Sequence, residues 1–171
     1  MSPRTIRLAL VGGGMYGRDV VLRCIEDVQR CGLCPYLASA GLDHRARDYV
    51  HVQYRLVAVG TRTSGSATRL VEQYMANLAG ASAGTGSAGG ADTVRAYYGE
   101  RPWEAIIDNE RPDVLFVATP DHLHYEPICY ALQRGVHVVA EKPLTLRLSE
   151  ADRIVRLAGE RGLVVAVDMH K

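Results

Sequence analysis

Short, nearly continuous apolar runs alternate along this chain with longer stretches in which apolar residues recur every three or four positions. Runs of the first kind are Ile6 to Val11, Leu56 to Val59, Val114 to Ala118, His137 to Ala140 and Val164 to Val167, with a weaker one at Val94 to Tyr98. Such a run, bounded by turn residues, suits a strand covered on both faces, as in a parallel sheet. Of the second kind, Met15 to about Gln29 repeats Val20, Val21, Cys24, Ile25 and Val28 at helical spacing. A later helix starts at Ser149, which with Asp152 makes a capping-type start, and carries Ala151, Ile154, Val155 and Ala158 as one stripe. Strand alternating with helix predicts an α/β domain built on a doubly wound parallel sheet.

Two strands run into loops with defined chemistry. Ile6 to Val11 is followed by Gly12-Gly13-Gly14-Met15-Tyr16-Gly17, which has the G-x-G-x-x-G spacing and opens the first helix at Met15 and Tyr16. Gly12 serves the tight turn, Gly14 the close approach of backbone to a pyrophosphate, and Gly17 the packing of helix on strand. The free N–H groups and positive dipole end of that helix face the phosphates. A glycine turn between any strand and helix would fit the spacing too, but the strand before and the helix after favour a Rossmann-type dinucleotide site. At the other end, Val136 to Ala140 runs into Glu141-Lys142-Pro143. Pro143 has a fixed φ and no N–H and biases Lys142 toward extended geometry, so one lysine is held just beyond a strand's carboxyl end. Open α/β sheets bind their ligands there.

The other strand ends refine this. After the second strand, Gly60-Thr61-Arg62-Thr63-Ser64 offers no carboxylate for an adenine-ribose hydroxyl. Arg62, with the hydroxyls of Thr63 and Ser64, suits a 2′-phosphate, so NADP is expected with NAD as the alternative. The competing view of Arg62 is a solvated loop charge. After the fourth strand, Thr119-Pro120-Asp121-His122-Leu123-His124 is expected to make a turn whose polar side chains face the nicotinamide half of the cofactor.

Composition removes other classes. With 47% hydrophobic residues, 23% charged residues and a net charge of +1 over 171 residues, neither disorder nor attraction to nucleic acid is indicated. No stretch is long enough to span a bilayer, and cleavage after the early apolar run would destroy the glycine loop, so a cytoplasmic protein is expected. Residues 1–171 read as one domain with two surface insertions. The first, about 31–53, carries Arg45, Arg47, Asp48 and His51 and is expected near the nucleotide side; the second, about 80–92, is almost wholly Gly, Ala, Ser and Thr and is expected to be flexible. Cys31 and Cys34 form a C-x-x-C near Cys24, His44 and His51, yet no second pair accompanies them, so reduced thiols and no metal are expected. His137 is expected to be packed or paired within its strand, and His170 to approach the cleft.

Taken together, Gly12-x-Gly14-x-x-Gly17, Thr119-Pro120-x-x-x-His124, Glu141-Lys142-Pro143 and the closing Val167-Asp168-Met169-His170-Lys171 resemble the N-terminal half of the Gfo/Idh/MocA family. The resemblance implies an NAD(P)-dependent oxidoreductase acting on a sugar, cyclitol or related polyol. It implies that Lys142 lies beside the nicotinamide and the substrate hydroxyl as the catalytic residue, with Glu141 and Pro143 setting its geometry and a Lys-Pro peptide that is often cis. It also implies that Thr119 and Pro120 line the cofactor and that His124 joins the cofactor set at the start of the next helix. Asp121 departs from the more usual Asn, which removes a donor. Members of the family continue into a second domain that supplies most substrate contacts, so the substrate domain is expected to be absent from this chain, and a homo-oligomer belongs to the full-length form. Two other functions stay open: a non-catalytic nucleotide-binding sensor, and an aldehyde or imine reductase.

Overall fold

Six strands pair side by side in the order β3-β2-β1-β4-β5-β6, every pair parallel. The computed structural model describes residues 4–81 and 93–169; residues 82–92 of the second insertion, and His170 with Lys171, lie outside them. Along the chain, β1 (Arg4–Val11) leads through a π-type turn (Gly17–Val21) into α1 (Leu22–Cys31), then α2 (Cys34–Ser39) and α3 (Ala46–Tyr49). Next come β2 (Val52–Thr61), α4 (Ser64–Ala81), β3 (Arg95–Tyr98), α5 (Pro102–Glu110) and β4 (Val114–Val117). The chain continues through α6 (Tyr125–Gln133), β5 (His137–Glu141) and α7 (Leu148–Arg161) to β6 (Val165–Asp168). This is the doubly wound, Rossmann-type sheet that the apolar runs predict, with a topological switch between β1 and β4.

The two-residue period of β1 divides the core. Leu8 and Leu10 point to one face and pack with Leu56 and Val59 against Leu22 and Ile25 of α1 and Leu70 and Tyr74 of α4. Ala9 and Val11 point to the other, where Leu115, Val117, Val138 and Ala140 meet Ile106 of α5, Ile128 and Leu132 of α6, and Ile154 of α7. The carboxyl halves of β1 and β2 are buried on both faces, while β4 and β5 alternate buried and half-buried residues, so these strands read as nearly unbroken apolar runs.

Three local expectations are corrected. The α7 cap is Arg147 and no side chain caps the turn, so Ser149 lies inside the helix; the stripe is also narrower, with Ile154 and Ala158 buried and Val155 67% exposed. Similarly, Val21 and Ile25 are buried on the first helix while Val20 and Cys24 face outward. The first insertion forms α2 and α3 with no buried residue, and it lies at the amino edge of the sheet rather than the nucleotide side. The Arg4 N–H donates to His51 O at 3.2 Å, where β1 and β2 begin. The reason is geometric: α1 has already carried the chain back from the carboxyl ends of the strands. His137 is paired as expected, its Nδ1 accepting the Val164 N–H at 3.0 Å.

Ile106 has no exposed surface at all. Ile106→Ala should therefore cost roughly 2–5 kcal/mol in a chemical denaturation experiment. Val155→Ala should stay within about 0.5 kcal/mol of the parent protein, the ordinary range for a surface position.

Candidate functional site

The loops singled out in the sequence all leave strands at the same edge. Gly12 follows β1, Arg62 follows β2, Ala118 and Thr119 follow β4, and Glu141 and Asp168 are the last residues of β5 and β6. Between β1 and β4 the connections depart to opposite faces, which opens a crevice at the carboxyl ends.

At that crevice backbone packs directly on backbone. Gly12 has φ +115°, and a Cβ there would lie 2.2 Å from Ala118 O. A Cβ on Gly17 would lie 2.4 Å from Gly12 O, so the first helical turn rests on the loop itself. Gly14 is different: a Cβ there would meet nothing within 4 Å. The first two glycines are closed by neighbouring backbone, and the middle one faces open space, which is the cradle a pyrophosphate requires. No side chain caps this turn, so its leading N–H groups are available to an anion. Met15 stands 76% exposed at the mouth of the loop.

Arg62, Thr63 and Ser64 lie exposed where β2 passes into α4. The Thr63 hydroxyl is already engaged, accepting the Ser66 N–H at 3.4 Å and donating to Ser66 Oγ at 2.9 Å, so it starts α4. Arg62 forms no ion pair among the described residues and is exposed just beyond the end of β2.

On the opposite side, the loops after β4 and β5 are joined by one ring. His124 is fully buried, with Nδ1 2.8 Å from Pro143 O and Nε2 2.8 Å from Thr119 O. Both nitrogens face loop carbonyls and the ring has no exposed surface, so His124 sits between the two loops and packs them together. The Thr119 hydroxyl oxygen is buried with no hydrogen-bond partner among the described residues. A buried hydroxyl without a partner at a ligand crevice suits a cofactor that supplies one. Pro120, Asp121 and His122 form an exposed rim. The Lys142-Pro143 peptide is cis, as the family resemblance implies.

The Lys142 side chain is 52% exposed and its Nζ stands 3.9 Å from Oε1 of Glu141, which is only 12% exposed. Behind them, the Tyr16 hydroxyl donates to Asp168 Oδ2 and lies against the Glu141 carboxylate. Burial, and then these two acceptors, push the Tyr16 phenol well above its ordinary range, so it stays a proton donor. Sequence reasoning places Tyr16 at the loop but assigns no role to its side chain or to Asp168; the two are 152 residues apart, and no local pattern signals the contact. Among the described residues, no group of three His, Cys, Asp or Glu side chains could hold a metal ion. No helix there is long and apolar enough to cross a membrane.

Residues 6–169 match the sequence profile described as "Oxidoreductase family, NAD-binding Rossmann fold". A dTDP-3,4-didehydro-2,6-dideoxy-alpha-D-glucose 3-reductase of Actinomadura kijaniata is 41% identical over 71 residues, 40% of this chain and 21% of that protein. The scyllo-inositol 2-dehydrogenase (NADP(+)) IolW of Bacillus subtilis is 38% identical over 64 residues, 37% of this chain and 18% of that enzyme. The structure of KijD10, a 3-ketoreductase from A. kijaniata in complex with NADP and TDP-benzene, superposes with a TM-score of 0.65 at 23% identity, which shows the common fold. That superposition covers 96% of this chain and 37% of the other, so the chain spans well under half the length of its relatives. With the profile running almost from end to end and the glycine cradle and Glu141-Lys142-Pro143 loop at one edge of the sheet, the chain belongs to the Gfo/Idh/MocA family of oxidoreductases, as its NAD-binding Rossmann domain.

Proposed function

We propose that this domain binds NADP across the β1/β4 crevice and presents it to a sugar, cyclitol or related polyol, within a larger oxidoreductase whose substrate-binding part lies outside this chain. The observation that carries the reading is the shared edge: the open turn at Gly14 and the lysine at Lys142 flank one crevice. The activities of the relatives, a sugar-nucleotide 3-reductase and an inositol dehydrogenase, support the substrate class.

In this reading Gly12 makes the turn and the backbone of Gly14, Met15, Tyr16 and Gly17 holds the pyrophosphate. Arg62 binds the 2′-phosphate in a forked contact, with Thr63 and Ser64 beside it. Thr119 and Pro120 line the nicotinamide half, the Thr119 hydroxyl gaining there the partner it lacks. His124, Glu141 and Pro143 fix the loops around that half. A nicotinamide held there would supply the hydride acceptor for oxidation of the substrate carbinol, or the hydride donor for reduction of the carbonyl. Lys142 holds the substrate oxygen: in oxidation the hydroxyl proton passes to Nζ, and in reduction Nζ–H returns it to the carbonyl oxygen. The four cysteines are free thiols, in keeping with a cytoplasmic setting.

Arg62→Ala should weaken NADP about 10-fold or more in isothermal titration, the scale of a lost charge-assisted hydrogen bond, and change NAD by less than about threefold. An equal loss for both nucleotides would remove Arg62 from the 2′-phosphate site. In the full-length protein, Lys142→Ala should retain NADP affinity and lower kcat by about 10²-fold or more across a panel of sugars and cyclitols. Unchanged turnover on an accepted substrate would reject the role of the lysine.

A further inference from the structure

Away from the nucleotide crevice, toward the amino ends of the strands, the sheet holds a second cavity of about 290 Å³. Arg7 of β1, Arg55 of β2 and Arg95 of β3 line it, with Glu110 at the end of α5. Arg7 and Arg55 are register partners on neighbouring strands, so their side chains leave the same face of the sheet. Like charges gathered around one hollow repel each other unless an anion stands among them. Glu110 supplies one carboxylate, 11% exposed, which lies 3.7 Å from Arg7 Nη2 and 3.4 Å from Arg95 Nε and accepts the Tyr97 hydroxyl at 2.6 Å. The nearby Asp113 carboxylate is spent on the Arg7 backbone N–H at 2.7 Å. Among the lining residues, positive charge is in excess.

The backbone is also irregular at this point. Leu8 pairs with Leu56 but Ala9 pairs with Ala58, which leaves Val57 as a bulge in the cavity wall. A bulge bends its strand and re-aims side chains, and bulges gather beside binding sites. Arg7 is fixed in advance, its Nε and Nη2 donating to the Glu110 carbonyl at 3.1 and 2.6 Å.

We propose that this cavity is a second ligand site, for a small molecule that carries a multivalent oxyanion, either a phosphoryl group or paired carboxylates, gripped by Arg7, Arg55 and Arg95. Guanidinium forks match such oxygens two at a time, and a concave, partly apolar wall concentrates the positive potential. The mouth is accessible: the Arg95 side chain is 68% exposed, and the Thr93 hydroxyl stands beside it as a further donor. The site is separate from the nucleotide crevice. Arg7 precedes Gly12 by five residues, roughly 16 Å of extended strand.

Titration of the isotopically labelled chain with sodium phosphate, pyrophosphate or citrate at constant ionic strength, followed by amide and arginine Nε–H NMR signals, reads the two sites separately. Signals of Arg7, Arg55, Val57, Arg95 and Glu110 should move along one saturating curve. Saturation by phosphate or pyrophosphate assigns the phosphoryl source, and saturation by citrate assigns the carboxylate source. R95A and R55A should each weaken that binding by about fivefold or more, the scale of a lost charge-assisted contact. Circular dichroism checks that each variant is folded, and if R55A is not, R95A decides alone. The proposal is overturned if no anion gives a saturating shift at these residues, if sodium chloride produces the same shifts, or if R95A binds as tightly as the parent. Pyrophosphate held by the glycine turn would appear at Gly14 and Met15 instead, so a failure here is distinguishable from a failure to bind NADP.

Discussion

The site depends on backbone meeting backbone where β1 and β4 end. Gly12 turns with φ +115° against the Ala118 carbonyl, and Gly17 sets the first helical turn directly on the Gly12 carbonyl. No side chain fits at either point, so the loop after β1 is held by main-chain contacts that any Cβ would push apart. That closure is what leaves the third glycine outward. The turn can be open at Gly14 because it is shut at Gly12 and Gly17, and an anion reaching the loop meets N–H groups already fixed in direction.

The other half of the crevice is fixed by side chains reaching between loops. His124 spends both ring nitrogens on the carbonyls of Thr119 and Pro143, tying the loop after β4 to the one that carries Lys142. Tyr16 ties the glycine loop to the end of β6. A flexible lysine on an exposed loop is a poor positioning device by itself. Here its loop is met from one side by the buried His124 imidazole, while the half-buried Tyr16 phenol reaches from the glycine loop to Asp168 at the end of β6.

What was legible in the sequence follows from how far each contact reaches along the chain. The central strands are apolar because helices cover the sheet, and that leaves a mark within a few residues; the edge strand β3 is mostly exposed and shows it only weakly. The glycine loop is legible for the same reason, since turn, approach and packing fall within six residues. The Ser149 cap and the Val155 stripe misled because local spacing cannot tell which residue of α7 meets α6 and the sheet. The first insertion was assigned to the nucleotide side although α1 had reversed the chain's direction, and only the complete βαβ path shows that. His124 was visible as part of a motif, but not its place between two loops, because the carbonyls it meets lie 5 and 19 residues away in different loops. Asp168 was legible only as part of the closing motif and its contact was not, since its partner Tyr16 is at the far end of the chain.

The central claim is that one crevice, between the glycine turn and the Lys142 loop, receives the nicotinamide nucleotide. Titration of the isotopically labelled chain with NADP, followed by amide NMR, tests it residue by residue. The account predicts that the amides of Gly14, Met15, Tyr16, Arg62, Thr119 and Lys142 shift together along one binding curve while those of α2 and α3, at the amino edge, stay still. No saturable shifts, or shifts confined to α2 and α3, would contradict it.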